Sequence, residues 1–445
     1  MIEGFVQHLV LRNWVPKVVL DVGARDCAQS LEFCRRYPQC HVWAFECNPA
    51  TLPLCRRVAE AEPRITLVEK AVHTHDGVCR FYPINPEKTI TTWSDGNPGA
   101  SSLFVANGEY PHETYVQDEI EVPCTTLSSA LSRDADCIWM DLQGAELMAL
   151  KSMGSRLNAV RYIYTEVSHK AMYTGQVMFE ELNAFLTEEG FVCATEIHPD
   201  QWWEDVIYEQ RPIDVVIPLG PKDTAMMDRV IRGARENIVG CRRIVVVGTT
   251  PIDGAEFVQE NQAFHFTLAD VARIHGSGDR NGWYFQQLIK LYAGECIPGL
   301  TEAYLVMDAD TVFLRPVAFP GYATSTEHHQ PYFAHMLRLH PTFIRAVPAS
   351  GICHHMLLEK RVLQEIRALV EEHHPGKQFW EVFLEQVDVR ETSLSGASEY
   401  ELYFHYIMRV HSPRIRPLSF RNVKRLPEKE KNPTEDLVSC HWYLR

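Results

Sequence analysis

From Lys17 the chain reads Lys17-Val-Val-Leu-Asp21-Val-Gly23, an unbroken apolar run closing on an acid and a glycine. The same rhythm returns at His41-Val-Trp-Ala-Phe-Glu46, Ile65-Thr-Leu-Val-Glu69, Cys137-Ile-Trp-Met-Asp141 and Tyr162-Ile-Tyr-Thr-Glu166. Continuous apolar runs of this length suit strands covered on both faces, as in a parallel sheet. Between them, Ser30–Tyr37, Ala50–Glu60 and Phe179–Glu189 carry apolar residues at helical spacing. The pattern predicts a parallel sheet whose carboxyl edge is lined with carboxylates. A second series starts at Ile213-Asp-Val-Val-Ile-Pro218 and continues at Arg243-Ile-Val-Val-Val-Gly248 and Tyr304-Leu-Val-Met-Asp308. Helical periodicity falls at Thr224–Ile238, Trp283–Ala293 and Met356–Glu372. The polar, aromatic stretch Pro199–Pro212 has few periodic apolar positions and separates the two series. Two α/β domains are therefore expected, 1–209 and 210–445.

At 445 residues the chain exceeds one ordinary core, which agrees with two domains. A net charge of −15 argues against a general nucleic-acid binder, since phosphate backbones need a basic face. No stretch approaches ~20 uninterrupted apolar residues, so no membrane span is expected. The opening Met1-Ile-Glu-Gly-Phe lacks the basic and apolar regions of a signal peptide. The 13 cysteines are scattered without zinc-ribbon or redox spacing, which suits free thiols in a reducing cytoplasm.

In the first series, Gly23 permits a tight turn and close approach of a ligand to backbone before a helix amino-terminus. Glu46 ends the next strand, where a carboxylate can accept from both hydroxyls of a ribose. Arg25 and Cys27 stand where a G-x-G-x-x-G fingerprint would have glycines, so no pyrophosphate cradle is evident. S-adenosylmethionine, which has no pyrophosphate, fits better than a dinucleotide.

In the second series, Asp308-Ala-Asp310 follows a buried strand, and two carboxylates there can hold Mg²⁺ or Mn²⁺. Such a cation can bridge a diphosphate and stabilise a leaving nucleoside diphosphate. Trp283, Gln286 and Lys290 share one helix face and suit a sugar and a diphosphate; the same helix also packs Phe285, Leu288 and Ile289 inward. The Lys222-Asp223 loop after Pro218 offers a place for a nucleotide. His441, His354 and His355 are candidate third metal ligands. Glu399, then Glu401, are candidates to take an acceptor proton, although Ser398-Glu-Tyr-Glu also reads as a helix cap.

Across about residues 15–195 the sequence resembles FkbM-type S-adenosylmethionine-dependent methyltransferases. The resemblance rests on Leu20-Asp-Val-Gly-Ala, Ala44-Phe-Glu-Cys-Asn48-Pro49, Lys70-Ala-Val72, Val122-Pro-Cys-Thr-Thr-Leu127 and Ile138-Trp-Met-Asp141-Leu-Gln143-Gly144-Ala-Glu146-Leu. It implies a Rossmann-like fold and transfer of a methyl group to a hydroxyl, often of a sugar. Asp21, Gly23 and Glu46 would bind the donor, and Asp141 would face the methyl group or acceptor. Many members carry Glu where this chain has Gln143, which leaves Asp141, Glu166 or His169 to orient or deprotonate the acceptor. Residues 212–445 resemble GT-A-fold glycosyltransferases in the opening strand, the Trp283–Leu291 helix, Met307-Asp-Ala-Asp310-Thr and Ser398-Glu-Tyr-Glu-Leu-Tyr403. That resemblance implies sugar transfer from a nucleotide-sugar donor to a glycan hydroxyl, with His441 at the position of a late metal-binding histidine. The combined expectation is a bifunctional cytoplasmic enzyme of glycan assembly. Its alternatives are a glycosyltransferase with a docking module and a non-enzymatic carbohydrate-binding scaffold.

Overall fold

The computed structural model describes residues 2–319, 324–413, 415–425 and 433–440, in two compact units, Met1–Arg211 and Pro212–Arg445. The first unit is built on a seven-stranded sheet. Its order is Ile65–Val68, His41–Phe45, Val18–Val22, Cys137–Met140, Tyr162–Ser168, Trp203–Gln210, Phe191–Cys193. The first five run parallel, with Val19 beside Val42 and Leu20 beside Ile138. Alternate residues feed two cores, as strand geometry requires. Val19, Trp139 and Tyr164 pack with Phe5 and Phe33, while Leu20, Ile138 and Ile163 pack with Leu150 and Leu182 on the other face. This two-sided burial is why the strands read as continuous apolar runs.

The stretch Pro199–Pro212 is more than a separator. Trp203–Gln210 is an antiparallel strand inside the sheet, paired to Tyr162–Ser168 on one side and Phe191–Cys193 on the other. Its buried set, Glu204, Val206, Tyr208 and Gln210, alternates polar and apolar residues, which hid it from a search for apolar runs. A small sheet of Ala71–Val72, Ile120–Thr125 and Gly77–Phe81 stands apart, and the loop between its last two strands in space spans residues 82–119.

The second unit has a five-stranded sheet in the order Glu256–Gln259, Cys241–Gly248, Ile213–Pro218, Ala303–Met307, His355–Glu359. Only the last strand is antiparallel. The expected helix Met356–Glu372 divides: His355–Glu359 is this edge strand, and the helix begins at Lys360. The compact apolar run Met356-Leu-Leu is buried on both faces beside Tyr304 and Leu305, so it satisfies the sheet before the helical period begins. Asp214 is fully buried at the foot of the central strand and accepts from Arg242 (2.5 Å) and Arg243 (3.2 Å). Chain order reverses on either side of Ile213–Pro218, which puts the Gly220 and Asp308 loops at the carboxyl ends of neighbouring strands. No helix among the described residues is long and apolar enough to cross a membrane.

Candidate functional site

In the first unit the carboxyl edge opens into a pocket lined by Gly23, Arg25, Glu46, Asn48, Asp141, Gln143, Glu166 and Asp205. Gly23 has φ +89°, and a β-carbon there would lie 1.9 Å from the Asp141 carbonyl oxygen. Only glycine fits this crossing of two strand ends. Arg25 and Cys27 adopt φ +49° and +58°, so the left-handed turn expected of glycines is present without them. Glu46 is locked by backbone: Oε1 accepts from the N–H of Cys47 (2.8 Å) and Asn48 (2.7 Å), and Oε2 from Arg25 (2.7 Å). A carboxylate has about four acceptor positions, so capacity remains for a ligand's hydroxyls. Burial pushes its pKa up, against those three donors.

Asp21 lies beneath the pocket and is not among its lining residues. It accepts from the Ser30 hydroxyl (2.5 Å) through Oδ2, while Oδ1 has no protein partner. Complete burial pushes its carboxyl up to about 7, with Ser30 opposing.

Asp141 opens to the pocket, whereas Glu166 is recessed. Between them sits Gln143, whose Nε2 donates to Asp141 Oδ1 (2.7 Å) and Glu166 Oε1 (3.3 Å). Burial first, then neighbouring carboxylates, raise both acids above the ordinary range, Glu166 the further. His169 does not join them: its Nε2 meets Glu204 Oε1 at 2.7 Å, and the ring is not among the pocket lining. The 82–119 loop contributes Trp93, Tyr110, Glu113 and Tyr115 to the lining, which also includes Trp203. Periodicity could not find this loop, because it has few regular elements, and its aromatics are little denser than in the rest of the chain.

In the second unit the sequence puts Lys290 on a polar helix face with Trp283 and Gln286. In the structure Lys290 is only 5% exposed and its ammonium donates to Asp308 Oδ1 (2.6 Å), Glu399 Oε1 (2.7 Å) and the Tyr400 hydroxyl (2.9 Å). A buried ammonium requires counter-charges, and these carboxylates supply them. Burial works to raise the Asp308 carboxyl, but Lys290 and His354 outweigh it and hold it below the ordinary range. Glu399, expected to receive an acceptor proton, is thus an internal partner of Lys290; burial carries its pKa upward despite the ammonium. Glu401 is completely buried and accepts from Ser350 Oγ (2.6 Å) and the Gly351 N–H (3.0 Å). Trp283 and Gln286 are half-buried, with the Arg280 guanidinium 4.2 Å over the indole. Lys222 is exposed, and the Asp223 N–H donates to the Gly220 carbonyl (3.1 Å).

Asp308, Asp310 and His354 each present a ligand atom within 4.8 Å of the others, the one such group among the described residues. His354 Nε2 lies 3.1 Å from Asn422 Oδ1, an acceptor, so this nitrogen carries the hydrogen. Nδ1 then faces Asp308 Oδ2 at 3.3 Å, a geometry that calls for either a second proton or a cation between them. The donor set fits a hard divalent ion with mixed oxygen and nitrogen ligands. His355 is turned away, in contact with Phe313 and Phe319, and His441 lies outside the described residues.

The first unit's sheet, with its ligand pocket at the carboxyl edge, defines an α/β methyltransferase-like fold. Residues 21–193 match the methyltransferase FkbM domain model, so the N-terminal half carries an FkbM methyltransferase domain. Residues 252–416 match a family of unknown function (DUF6492). The chain is similar to 2-O-methyltransferase NoeI of Sinorhizobium fredii, 27% identical over 166 residues, which are 36% of this chain and 67% of the relative. Among solved structures it is similar to methyltransferase FkbM from Methylobacillus flagellatus, with 14% identity, 43% of each chain covered and a TM-score of 0.29. Magnesium protoporphyrin IX methyltransferase (ChlM) from Synechocystis, with bound SAM, follows at 11% identity, 47% of this chain, 77% of that chain and a TM-score of 0.27. This chain thus spans less than half of the Methylobacillus protein.

Proposed function

We propose that the first unit moves a methyl group from S-adenosylmethionine to a hydroxyl of a carbohydrate acceptor. The observation that carries this reading is the convergence of Gly23, Glu46 and Asp141 on one pocket facing an aromatic loop. The residues suit the donor. Gly23 lets it approach the backbone, and pre-positioned Glu46 accepts from ribose hydroxyls. When bound, S-adenosylmethionine supplies an electrophilic methyl on a cationic sulfur. Asp141 orients the acceptor hydroxyl and receives its proton. Trp93 and Trp203, 53% and 39% exposed, offer flat apolar faces for a sugar ring, and carboxylates in the same lining can accept from its hydroxyls. Similarity to a 2-O-methyltransferase supports an oxygen acceptor. The test is calorimetry with S-adenosylmethionine, then labelled methyl transfer to a panel of oligosaccharides. Binding without transfer to any sugar, alongside transfer to a non-carbohydrate hydroxyl, would refute the acceptor class.

For the second unit the reading is a GT-A glycosyltransferase that uses a nucleotide sugar and Mn²⁺ or Mg²⁺. Its support is the Asp308, Asp310 and His354 cluster at the carboxyl end of Ala303–Met307, an interior strand of a mostly parallel sheet. The cation would be held by Asp308 and Asp310 and would offset charge on a diphosphate. Both activities on one growing glycan make a bifunctional enzyme of glycan assembly. Release of a nucleoside diphosphate from one donor in a panel, abolished by chelator, is the expected outcome; manganese failing to bind at all would remove this reading.

A further inference from the structure

The Asp141–Gln143–Glu166 arrangement has a feature that donor binding does not require. Gln143 sits in the left-handed region at φ +53°, where a non-glycine residue is held at a cost. The turn around it is pinned at several points. Buried Glu146 Oε1 accepts from the N–H groups of Leu142 (3.0 Å) and Gly144 (3.2 Å). The Gln143 carbonyl accepts from Ser102 Oγ (2.8 Å), and its side-chain oxygen lies 3.0 Å from the Tyr173 hydroxyl. A β-carbon on Gly144 would sit 2.5 Å from Gln176 Cβ. All of this aims one uncharged amide at two carboxylates.

We propose that Gln143 is a positioning residue that makes Asp141 and Glu166 a pair sharing one proton, with the ionised member facing the acceptor hydroxyl. The proposal deepens the methyltransferase reading and rests on it for the identity of that acceptor. An amide has two N–H donors, one for each acid, but no charge with which to neutralise them. Two carboxylates that share one amide nitrogen, one of them buried, do not both ionise readily. The surroundings add negative charge. Glu146 faces the pair from the following helix and Asp205 from the neighbouring strand, with Tyr164, Tyr115 and Tyr173 around it and Arg25 as the cation on the Asp141 side. Recessed Glu166 keeps the proton, and Asp141, which opens to the pocket, stays available. As the acceptor oxygen forms its bond to the methyl carbon, its proton passes to Asp141 and the carbon–sulfur electron pair returns to sulfur. The sulfonium and carboxylate charges disappear together.

The experiment is a carboxyl-selective infrared titration of the full-length protein, comparing wild type with E166Q, D141N, Q143L and Q143E. Burial also raises Asp21 and Glu146 to about 7, so the band to follow is the protonated carboxyl band that D21N and E146Q leave in place. E166Q should remove it. Q143L should move its midpoint up by about one pH unit, because the N–H groups that favour the ionised forms are lost. Q143E should retain an additional proton. With a working acceptor, the acidic limb of kcat should shift in the same direction in Q143L. A purely structural Gln143 would lower activity evenly and leave the midpoint in place. No such band in wild type, a band surviving both E166Q and D141N, or an unmoved midpoint in Q143L would overturn the proposal. If wild type fails to bind S-adenosylmethionine while the band behaves as described, the methyltransferase reading fails and the proton-sharing pair stands.

Discussion

Each unit holds two carboxylates, one buried and one more open, against a single side-chain nitrogen, neutral in the first unit and charged in the second. In the first unit the Gln143 amide spans Asp141 and Glu166 at 2.7 and 3.3 Å. In the second the Lys290 ammonium spans Asp308 and Glu399 at 2.6 and 2.7 Å. Geometry is nearly shared; protonation is not. Under the neutral amide both acids rise above their ordinary range, whereas the ammonium holds Asp308 below it. Similar bridging contacts therefore leave Asp141 and Glu166 more readily protonated and keep Asp308 ionised beside Asp310 and His354. In the second unit, even the more deeply buried Glu399 remains above its ordinary value, because desolvation exceeds what one shared ammonium returns.

The sharpest way to break this comparison is to remove the nitrogens. Lys290→Met leaves two carboxylates buried without their cation and should destabilise the second unit by about 3–5 kcal/mol, read by denaturant unfolding. Gln143→Leu deprives its acids of neutral hydrogen bonds only and should cost the first unit about 1–3 kcal/mol. Equal losses would mean that charge is not what separates the pairs. Gly23→Ala comes next. The added methyl meets the Asp141 carbonyl, so S-adenosylmethionine affinity should fall at least about tenfold by calorimetry.

A pH series sharpens the same contrast. Asp21 and Glu146 are raised to about 7, so the folded first unit binds protons that the unfolded chain has released. Its stability should rise as pH falls from about 7.5 towards 5 and decline again as pH climbs through 7. Asp308 is depressed, so its contribution to the second unit is complete above the ordinary Asp value of 3.8 and is lost only below it. Hydrogen-exchange protection followed in each unit should therefore strengthen on mild acidification in the first and not through Asp308 in the second. The smallest effect is expected at Ser350→Ala, which removes one donor from buried Glu401 and should cost about 1–2 kcal/mol of second-unit stability.

Apolar runs, each closing on an acid in the first series, located the five parallel strands of the first sheet and three strands of the second, because burial leaves few polar positions to interrupt them. They also put Gly23, Glu46 and Asp141 at one sheet edge. The same logic missed Trp203–Gln210, where Glu204 and Gln210 are buried, and misread Met356-Leu-Leu as the start of a helix. Apolar composition alone does not separate a short buried strand from a helical turn.

What the sequence determined by itself was order and inventory: two α/β series, an acid at each strand end of the first, an Asp-x-Asp after a buried strand of the second, and a glutamine and a lysine to go with them. Tertiary structure decided which of these groups face a cavity and which face each other. Lys290 turned inward to Asp308 and Glu399, His169 turned to Glu204, and Gln143 was aimed between two acids. The physical reason is that the protonation and role of a buried group depend on the charges and donors within a few ångströms. Those neighbours come from positions as far apart as 290 and 399, which no local pattern connects.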